Sequence, residues 1–236
     1  MSSQKIPYRD DWDGNANLTG TLVTATTSSL SRHGVLVVHG GAGLDAHAVK
    51  QAERFAEAGY VAFACDMYGE GVRGNRQRTL DQINAFRHDR ARIVARAQAA
   101  LEILRTRADN RIAIVGYCFG GTVALELARA GVEASAIVSV HGSITTMQPV
   151  QPGAIRAPIL ICQGAADPHC SLDDVITFAT EMKYVGADWE LVVYGNAMHG
   201  FTHEDAKGQV PGVLYDAQAD ARSLDTICAF LRRTVR

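Results

Sequence analysis

The sequence has 236 residues, 47% of them hydrophobic and 20% charged, which is typical of a folded chain and excludes a disordered one. Its net charge of −2, without a basic block, argues against nucleic acid as a partner. The apolar runs are too short to span a membrane, and the N-terminal segment lacks a signal peptide's apolar core. We therefore expect a cytoplasmic protein.

The length suits one α/β domain that spans residues 1–236. The chain has five cysteines, an odd number, and none is spaced like a pair of zinc ligands. Reduced thiols are expected, with no bound metal and no cofactor. The sequence leaves the oligomeric state open between a monomer and a homodimer.

Short β-branched runs alternate with longer stretches of helical period. The first run, 20–25, is a possible antiparallel edge strand. Buried strands are then predicted at 35–38, 60–64, 112–115, 136–140, 158–162 and 189–194. Helices are predicted at 46–58, 79–106, 119–130, 171–185 and 214–233.

The alternation predicts an α/β fold with one mostly parallel central sheet and helices on both faces. Gly59 and Gly131 lie just past predicted helix ends, where a left-handed cap favours glycine. Ser171 and Asp174 form a capping-box pattern at the start of another helix. Ligands of such sheets bind at the carboxyl ends of the strands, so polar residues there are the functional candidates.

The clearest chemical signal is the segment 112–121, an apolar strand that runs into Gly-Tyr-Cys-Phe-Gly-Gly and then into a helix. This pattern matches the nucleophile elbow of α/β-hydrolases, with Cys118 in place of serine. The helix N-terminus would stabilise a thiolate at this position. The alternative is a buried cysteine in a nucleotide-binding turn, but the segment contains neither a GxGxxG nor a Walker pattern.

A nucleophile elbow requires an acid and a base, in the chain order nucleophile, acid, base. Asp167 follows the strand predicted at 158–162, and His199 follows the strand predicted at 189–194. Taken alone, Asp167 is an ordinary turn residue before a proline, and His199 is an ordinary loop histidine. Their order and their place at one sheet edge predict that His199 serves Cys118 and that Asp167 orients His199.

Glycines follow the first predicted parallel strand, where α/β-hydrolases place half of the oxyanion hole. We expect the amides of Gly41, or of Gly40, and of Phe119 to bind the oxyanion. His39, which precedes these glycines, is interpreted as structural. Among the other polar residues at this edge, Asp66 is interpreted as a turn anchor, and Tyr68 and His141 are candidates for lining the pocket.

The chain resembles the dienelactone hydrolase family over nearly its whole length. The matching motifs are the elbow, Asp66-Met-Tyr68, Asp167-Pro, His199-Gly-Phe201 and the segment 211–220. The resemblance implies an α/β-hydrolase fold, a Cys-His-Asp triad, no metal, and a small open pocket without a large lid. It also suggests that Phe201 lies at the substrate.

Two positions depart from the pattern of family members that open dienelactones. Those members have a glutamate where this chain has Gly40, and it helps to convert the resting thiol into a thiolate. They also have an arginine, four residues beyond the catalytic histidine, that binds the substrate carboxylate, and this chain has His203 there. We expect Gly40 and His203 to lie at the substrate, and the departures weaken the case for dienelactone itself.

The sequence thus predicts a hydrolase that cleaves a small-molecule ester or lactone through a thioester on Cys118. A general carboxylesterase or thioesterase is the alternative within enzymes. A non-catalytic ligand-binding or redox-sensing module is the alternative outside them. An arginine could bind a substrate carboxylate, but no spacing distinguishes among Arg73, Arg76, Arg78 and Arg87.

Overall fold

The computed structural model describes residues 1–10, 12, 16–26, 33–109 and 111–235. Its strands are β1 (Ser2–Tyr8), β2 (Leu18–Thr24), β3 (Gly34–Val38), β4 (Val61–Cys65), β5 (Ile112–Tyr117), β6 (Ala136–Val140), β7 (Ile159–Gly164) and β8 (Trp189–Tyr194). Its helices are α1 (Ala46–Glu57), α2 (Arg76–Arg87), α3 (Arg90–Arg105), α4 (Phe119–Arg129), α5 (Leu172–Val185) and α6 (Ala217–Thr234).

Within the described residues the strands form one sheet in the order β1-β2-β4-β3-β5-β6-β7-β8. The last six strands of this order, β4, β3, β5, β6, β7 and β8, pair with one another in parallel. Strand β2 pairs antiparallel with both of its neighbours, β1 and β4. The prediction of a mostly parallel sheet is therefore confirmed. The segment 20–25 is antiparallel as expected, but it is not at the edge, because the unpredicted strand β1 covers it.

The alternation of side chains along β3 separates two apolar cores. Val35 and Val37 face one side, where they pack with residues of α1 and α6. Leu36 and Val38 face the other side, where they pack with residues of α3, α4 and α5. Successive residues of a strand point to opposite faces, so an all-apolar strand such as β3 must be covered on both.

The helix predicted over 79–106 is in fact two helices. The Asp89 side chain accepts a hydrogen bond from the Arg92 amide at 2.9 Å and so caps the start of α3. Apolar periodicity continues across this break, and periodicity alone could not reveal it. The predicted caps are confirmed, since Gly59 and Gly131 have positive φ and Ser171 forms a capping box with Asp174.

Candidate functional site

Cys118 lies on a strained turn between β5 and α4. Its φ of 53° falls in a region that non-glycine residues rarely adopt, and it is the N-cap residue of α4. A Cβ on Gly116 would lie 1.8 Å from the Gly120 carbonyl oxygen, and one on Gly120 would lie 2.2 Å from the Val38 oxygen. Both contacts are with backbone, so the turn can close only with glycine at these two positions.

Three side chains from separate loops meet at the carboxyl edge of the sheet. His199 Nε2 lies 3.0 Å from the Cys118 sulfur, and His199 Nδ1 lies 2.9 Å from Asp167 Oδ2. Asp167 is only 5% exposed, whereas Cys118 is half-buried. The structure thus brings together the nucleophile, base and acid expected from the sequence, in hydrogen-bonding order.

The electrostatics of this group favour a thiolate next to an imidazolium. Burial raises the pKa of Cys118, but the hydrogen bond and charge of His199 and the amides of Gly41 and Phe119 outweigh it, so the net pKa is lowered. Burial lowers the pKa of His199, but Asp167 and Cys118 outweigh it and raise that pKa to about 10. The two shifts in opposite directions are those of an ion pair.

The backbone amides of Gly41 and Phe119 lie near the Cys118 sulfur and lower the pKa of its thiol. They come from different elements, because Gly41 follows β3 and Phe119 is the first residue of α4. A carbonyl attacked by this sulfur would place its oxygen near the same two donors, which is the geometry of an oxyanion hole. Gly40 lies beside them, and a Cβ built there would be 3.5 Å from the Cys118 Cβ.

A cavity of about 550 Å³ opens beside the Cys118 sulfur and is lined by residues of α2, α3, α4 and the loop after β6. Its lining includes Gly41, Phe119 and His199 together with Cys118. Of the four arginines considered from the sequence, Arg87 lines this cavity. Such a volume is within the usual range for small-molecule sites.

Besides Gly40, four residues expected at the substrate do not line this cavity. Tyr68 is 5% exposed and packs its ring against Phe119. Phe201 is fully buried against the His141 ring. His203 lies in a separate small pocket next to His47 and Thr202. Tyr68 and Phe201 are thus covered by other side chains and His203 borders a different pocket, so contact of these three residues with the substrate stays a prediction.

His141 is the fourth, and it supports the site from behind. It is 2% exposed, and burial lowers its pKa, so the ring is neutral. Its Nδ1 accepts a hydrogen bond from the Cys118 amide at 3.1 Å, and its Nε2 lies 2.9 Å from the Thr202 hydroxyl. Its ring also packs edge-on against His199. His39 and Asp66 are structural as expected, each accepting backbone hydrogen bonds.

Two contributors to the site were not found from the sequence. Gln163, at the end of β7, donates from Nε2 to Asp167 Oδ2 at 2.8 Å. His169 lines the cavity, its ring packs edge-on against His199 at 4.8 Å, and its amide donates to Asp167 Oδ1. In the sequence, only their proximity to Asp167 could have indicated a role for these residues, since both lie within four positions of it.

Asp45, His47 and His203 place potential metal-ligand atoms within 4.8 Å of one another. The two imidazole rings are stacked, with 14° between their planes and 4.5 Å between their centres. Nitrogen lone pairs lie in the ring plane, so stacked rings direct them along parallel planes and not to a common point. The geometry of this cluster does not favour coordination of a metal, and His203 Nε2 instead pairs with Asp45 at 3.2 Å.

Comparison with known proteins identifies the family of the chain. The family model described as "Dienelactone hydrolase family" matches residues 18–235. A probable 2-oxo-3-(5-oxofuran-2-ylidene)propanoate lactonase from Bradyrhizobium sp is 30% identical, over 72% of this chain and 73% of its own. A putative carboxymethylenebutenolidase from Yersinia pestis is 25% identical, over 71% of this chain and 67% of its own.

Solved structures extend the similarity to the whole chain. A dienelactone hydrolase-like promiscuous phosphotriesterase from metagenomic libraries is 33% identical, with a TM-score of 0.90, and the match covers 100% of this chain and 99% of that one. The protein m3DLH is 32% identical, with a TM-score of 0.89 and the same coverage. These matches confirm the α/β-hydrolase fold. The chain belongs to the dienelactone hydrolase family and is a hydrolase of the type that acts on lactone or ester bonds.

Proposed function

We propose that this chain hydrolyses small-molecule esters or lactones through a Cys118–His199–Asp167 triad and a thioester intermediate. The observation that carries the proposal is the position of the Cys118 sulfur, 3.0 Å from His199 Nε2 and in front of two backbone amides. A nucleophile, a base and an oxyanion hole are the parts that acyl transfer requires.

In the first half-reaction the Cys118 thiolate attacks the carbonyl carbon. The oxyanion is stabilised by the Gly41 and Phe119 amides, and the C–O bond of the leaving group breaks as His199 Nε2 protonates the departing oxygen. In the second half-reaction His199 removes a proton from water, which attacks the thioester and releases the acid and the thiolate. Asp167 holds the imidazole in orientation and stabilises its cationic form.

A thiolate is a good nucleophile, but it also leaves readily from the tetrahedral intermediate. Turnover therefore favours substrates whose own leaving group is activated, such as enol lactones, aryl esters and thioesters. The proposed location is the cytoplasm, and all five cysteines are free thiols, as they would be in a reducing compartment. No helix among the described residues is both long and apolar enough to cross a membrane.

Substitution of the sulfur tests the proposal directly. We expect Cys118→Ala to abolish hydrolysis of p-nitrophenyl acetate, whereas Cys228→Ala, which removes another half-buried thiol, should retain it. Near-wild-type activity in Cys118→Ala would refute the nucleophile assignment. We expect Cys118→Ser to keep part of the activity, because the geometry is preserved; a completely inactive serine variant would show that the site depends on a preformed thiolate.

A second candidate, a general carboxylesterase or thioesterase, is favoured by the two departures from the family pattern. Gly40 has no carboxylate, and His203 lies outside the cavity that Cys118 lines. Comparison of kcat/KM for cis-dienelactone with that for short aryl esters separates the two. A clear preference for dienelactone would favour the lactonase, and a preference for aryl esters would favour the esterase.

A further inference from the structure

The lining of the cavity beside Cys118 continues along α4. Five residues of the segment 118–126 line the cavity, at positions 118, 119, 122, 123 and 126, and the spacing of the last four places them on one face of the helix. At 1.5 Å per residue, the distance along the helix from Cys118 to Glu126 is about 12 Å. The cavity therefore continues well beyond the reacting sulfur, and a small lactone ring would fill only its first part.

The walls of this extension are largely apolar. The apolar lining consists of the side chains of Ile83, Phe86, Ile93, Phe119, Val123 and Met147. Hydroxyl groups come from Thr122, Ser143, Thr145 and Thr146. Glu126 also lines the cavity, but its carboxylate is neutralised by Arg90 at 2.6 Å and Arg129 at 2.9 Å. Arg87, which also lines the cavity, is exposed and therefore lies at the rim. An apolar group would be favoured there over a charged one.

The chemistry of the site indicates which part of a substrate enters the extension. The tetrahedral carbon carries the Cys118 sulfur, the oxyanion, the leaving group and the acyl chain. The oxyanion faces the Gly41 and Phe119 amides, and the leaving oxygen must lie beside His199 to receive its proton. The acyl chain takes the remaining direction, away from His199 and along α4.

We propose that the cavity along α4 is an acyl-chain site, and that the preferred substrates are esters or thioesters of apolar acyl groups about six to eight carbons long, a length that suits its roughly 12 Å extent. This inference rests on the proposed function, because it assumes acylation of Cys118. It adds the class of acyl group that the enzyme selects.

A chain-length series tests the proposal. We expect kcat/KM to rise from p-nitrophenyl acetate through the butyrate to the hexanoate by roughly two- to fourfold for each added methylene, because each is removed from water. A flat or falling series would overturn the acyl-chain site. If Cys118→Ala hydrolyses all these esters as fast as the wild type, the proposed function itself fails, so the two failures are distinguishable.

Substitutions on α2 test where the acyl chain of the substrate binds. Ile83 lines the cavity, and its Cδ1 is 3.5 Å from where a Cβ on Gly41 would lie, so Ile83→Trp should obstruct the entrance to the extension. We expect the ratio of hexanoate to acetate activity to fall about tenfold. The matched control is Leu80→Trp on the same helix, because Leu80 is 44% exposed and does not line the cavity; its ratio should be that of the wild type.

Two further measurements keep the test decisive. Ile83→Ala removes apolar wall at the entrance to the extension and should reduce the rise in kcat/KM from acetate to hexanoate, even if the tryptophan variant does not fold. In a second series the acyl group is kept as acetate and the leaving group grows from phenyl to 2-naphthyl. If Ile83→Trp discriminates within this leaving-group series and not within the acyl series, the extension holds the leaving group and the proposal is wrong.

Discussion

Gln163 and Asp167 are joined by a buried hydrogen bond, in which the Gln163 amide donates to the carboxylate oxygen that also accepts from His199. Gln163 is 2% exposed and is the penultimate residue of β7, so its position is fixed by the sheet. The bond prevents rotation of the carboxylate, and the imidazole orientation depends on the carboxylate in turn. Gln163 is thus a positioning residue for the proposed triad.

Gln163→Leu should lower kcat/KM by about tenfold, because a hydrogen bond to a charged group is lost while the side-chain volume is kept. Asp167 retains the His169 amide as a partner, so activity should not vanish. The measurement is kcat/KM against pH. Gln51→Leu is the control, since Gln51 is equally buried but bonds to His47, Arg54 and Tyr117, and its pH profile should match that of the wild type.

The thiolate of Cys118 should persist below the ordinary thiol pKa. Its pKa is lowered, and that of His199 is raised to about 10, so the ion pair exists from the lowered thiol pKa up to about pH 10. The rate of alkylation by iodoacetamide should therefore rise with pH at an inflection below 9. His199→Gln should move this inflection upwards, because burial raises the pKa and only the Gly41 and Phe119 amides then oppose it.

The other thiols provide the background for that experiment. Burial raises the pKa of Cys65, Cys162, Cys170 and Cys228, so Cys118→Ala should be alkylated slowly at neutral pH. An inflection at 9 or above in the wild type would argue against a tuned nucleophile. It would instead favour the reading of Cys118 as an ordinary or redox-sensing thiol.

His141→Phe should destabilise the fold by about 2 kcal/mol, because two hydrogen bonds disappear and phenylalanine is less tolerant of the φ of 40° at this position. Urea unfolding measures the loss. Thr202→Val removes the hydroxyl that contacts His141 Nε2 but leaves His141 in place. Its effect on kcat should therefore be smaller than the effect of His141→Phe. Equal kcat in His141→Phe and the wild type would show that the Cys118 amide needs no support from His141.

Gly116→Ala should prevent folding or cost more than about 4 kcal/mol, because its Cβ would overlap the Gly120 carbonyl oxygen and neither backbone segment can move. Gly195→Ala is the matched control, since a Cβ there meets nothing within 4 Å, and its stability should change by less than about 0.5 kcal/mol. Soluble expression and thermal unfolding report both. A stable Gly116→Ala protein would contradict the close approach at the elbow.

Much of the architecture was predictable because it depends on local pattern. Apolar runs such as β3 and β5 are covered on both faces, and the glycines around Cys118 follow from the need for a tight turn. Strand β1 was missed because most of its residues are exposed, so its sequence carries no apolar pattern. The break at Asp89 was missed because a side-chain cap interrupts the helix without changing its period.

The sequence by itself determined the order of strands and helices, the glycine-framed cysteine and the order of Cys118, Asp167 and His199. Only the tertiary structure decided which neighbours face the cavity, since that depends on distances between segments far apart in the chain. In the structure His141 and Phe201 lie behind the site, and His203 lies in another pocket. Gln163 and His169 contact Asp167, and His169 also packs against His199. Side-chain direction at a strand end is set by packing across the sheet, and no local pattern encodes it.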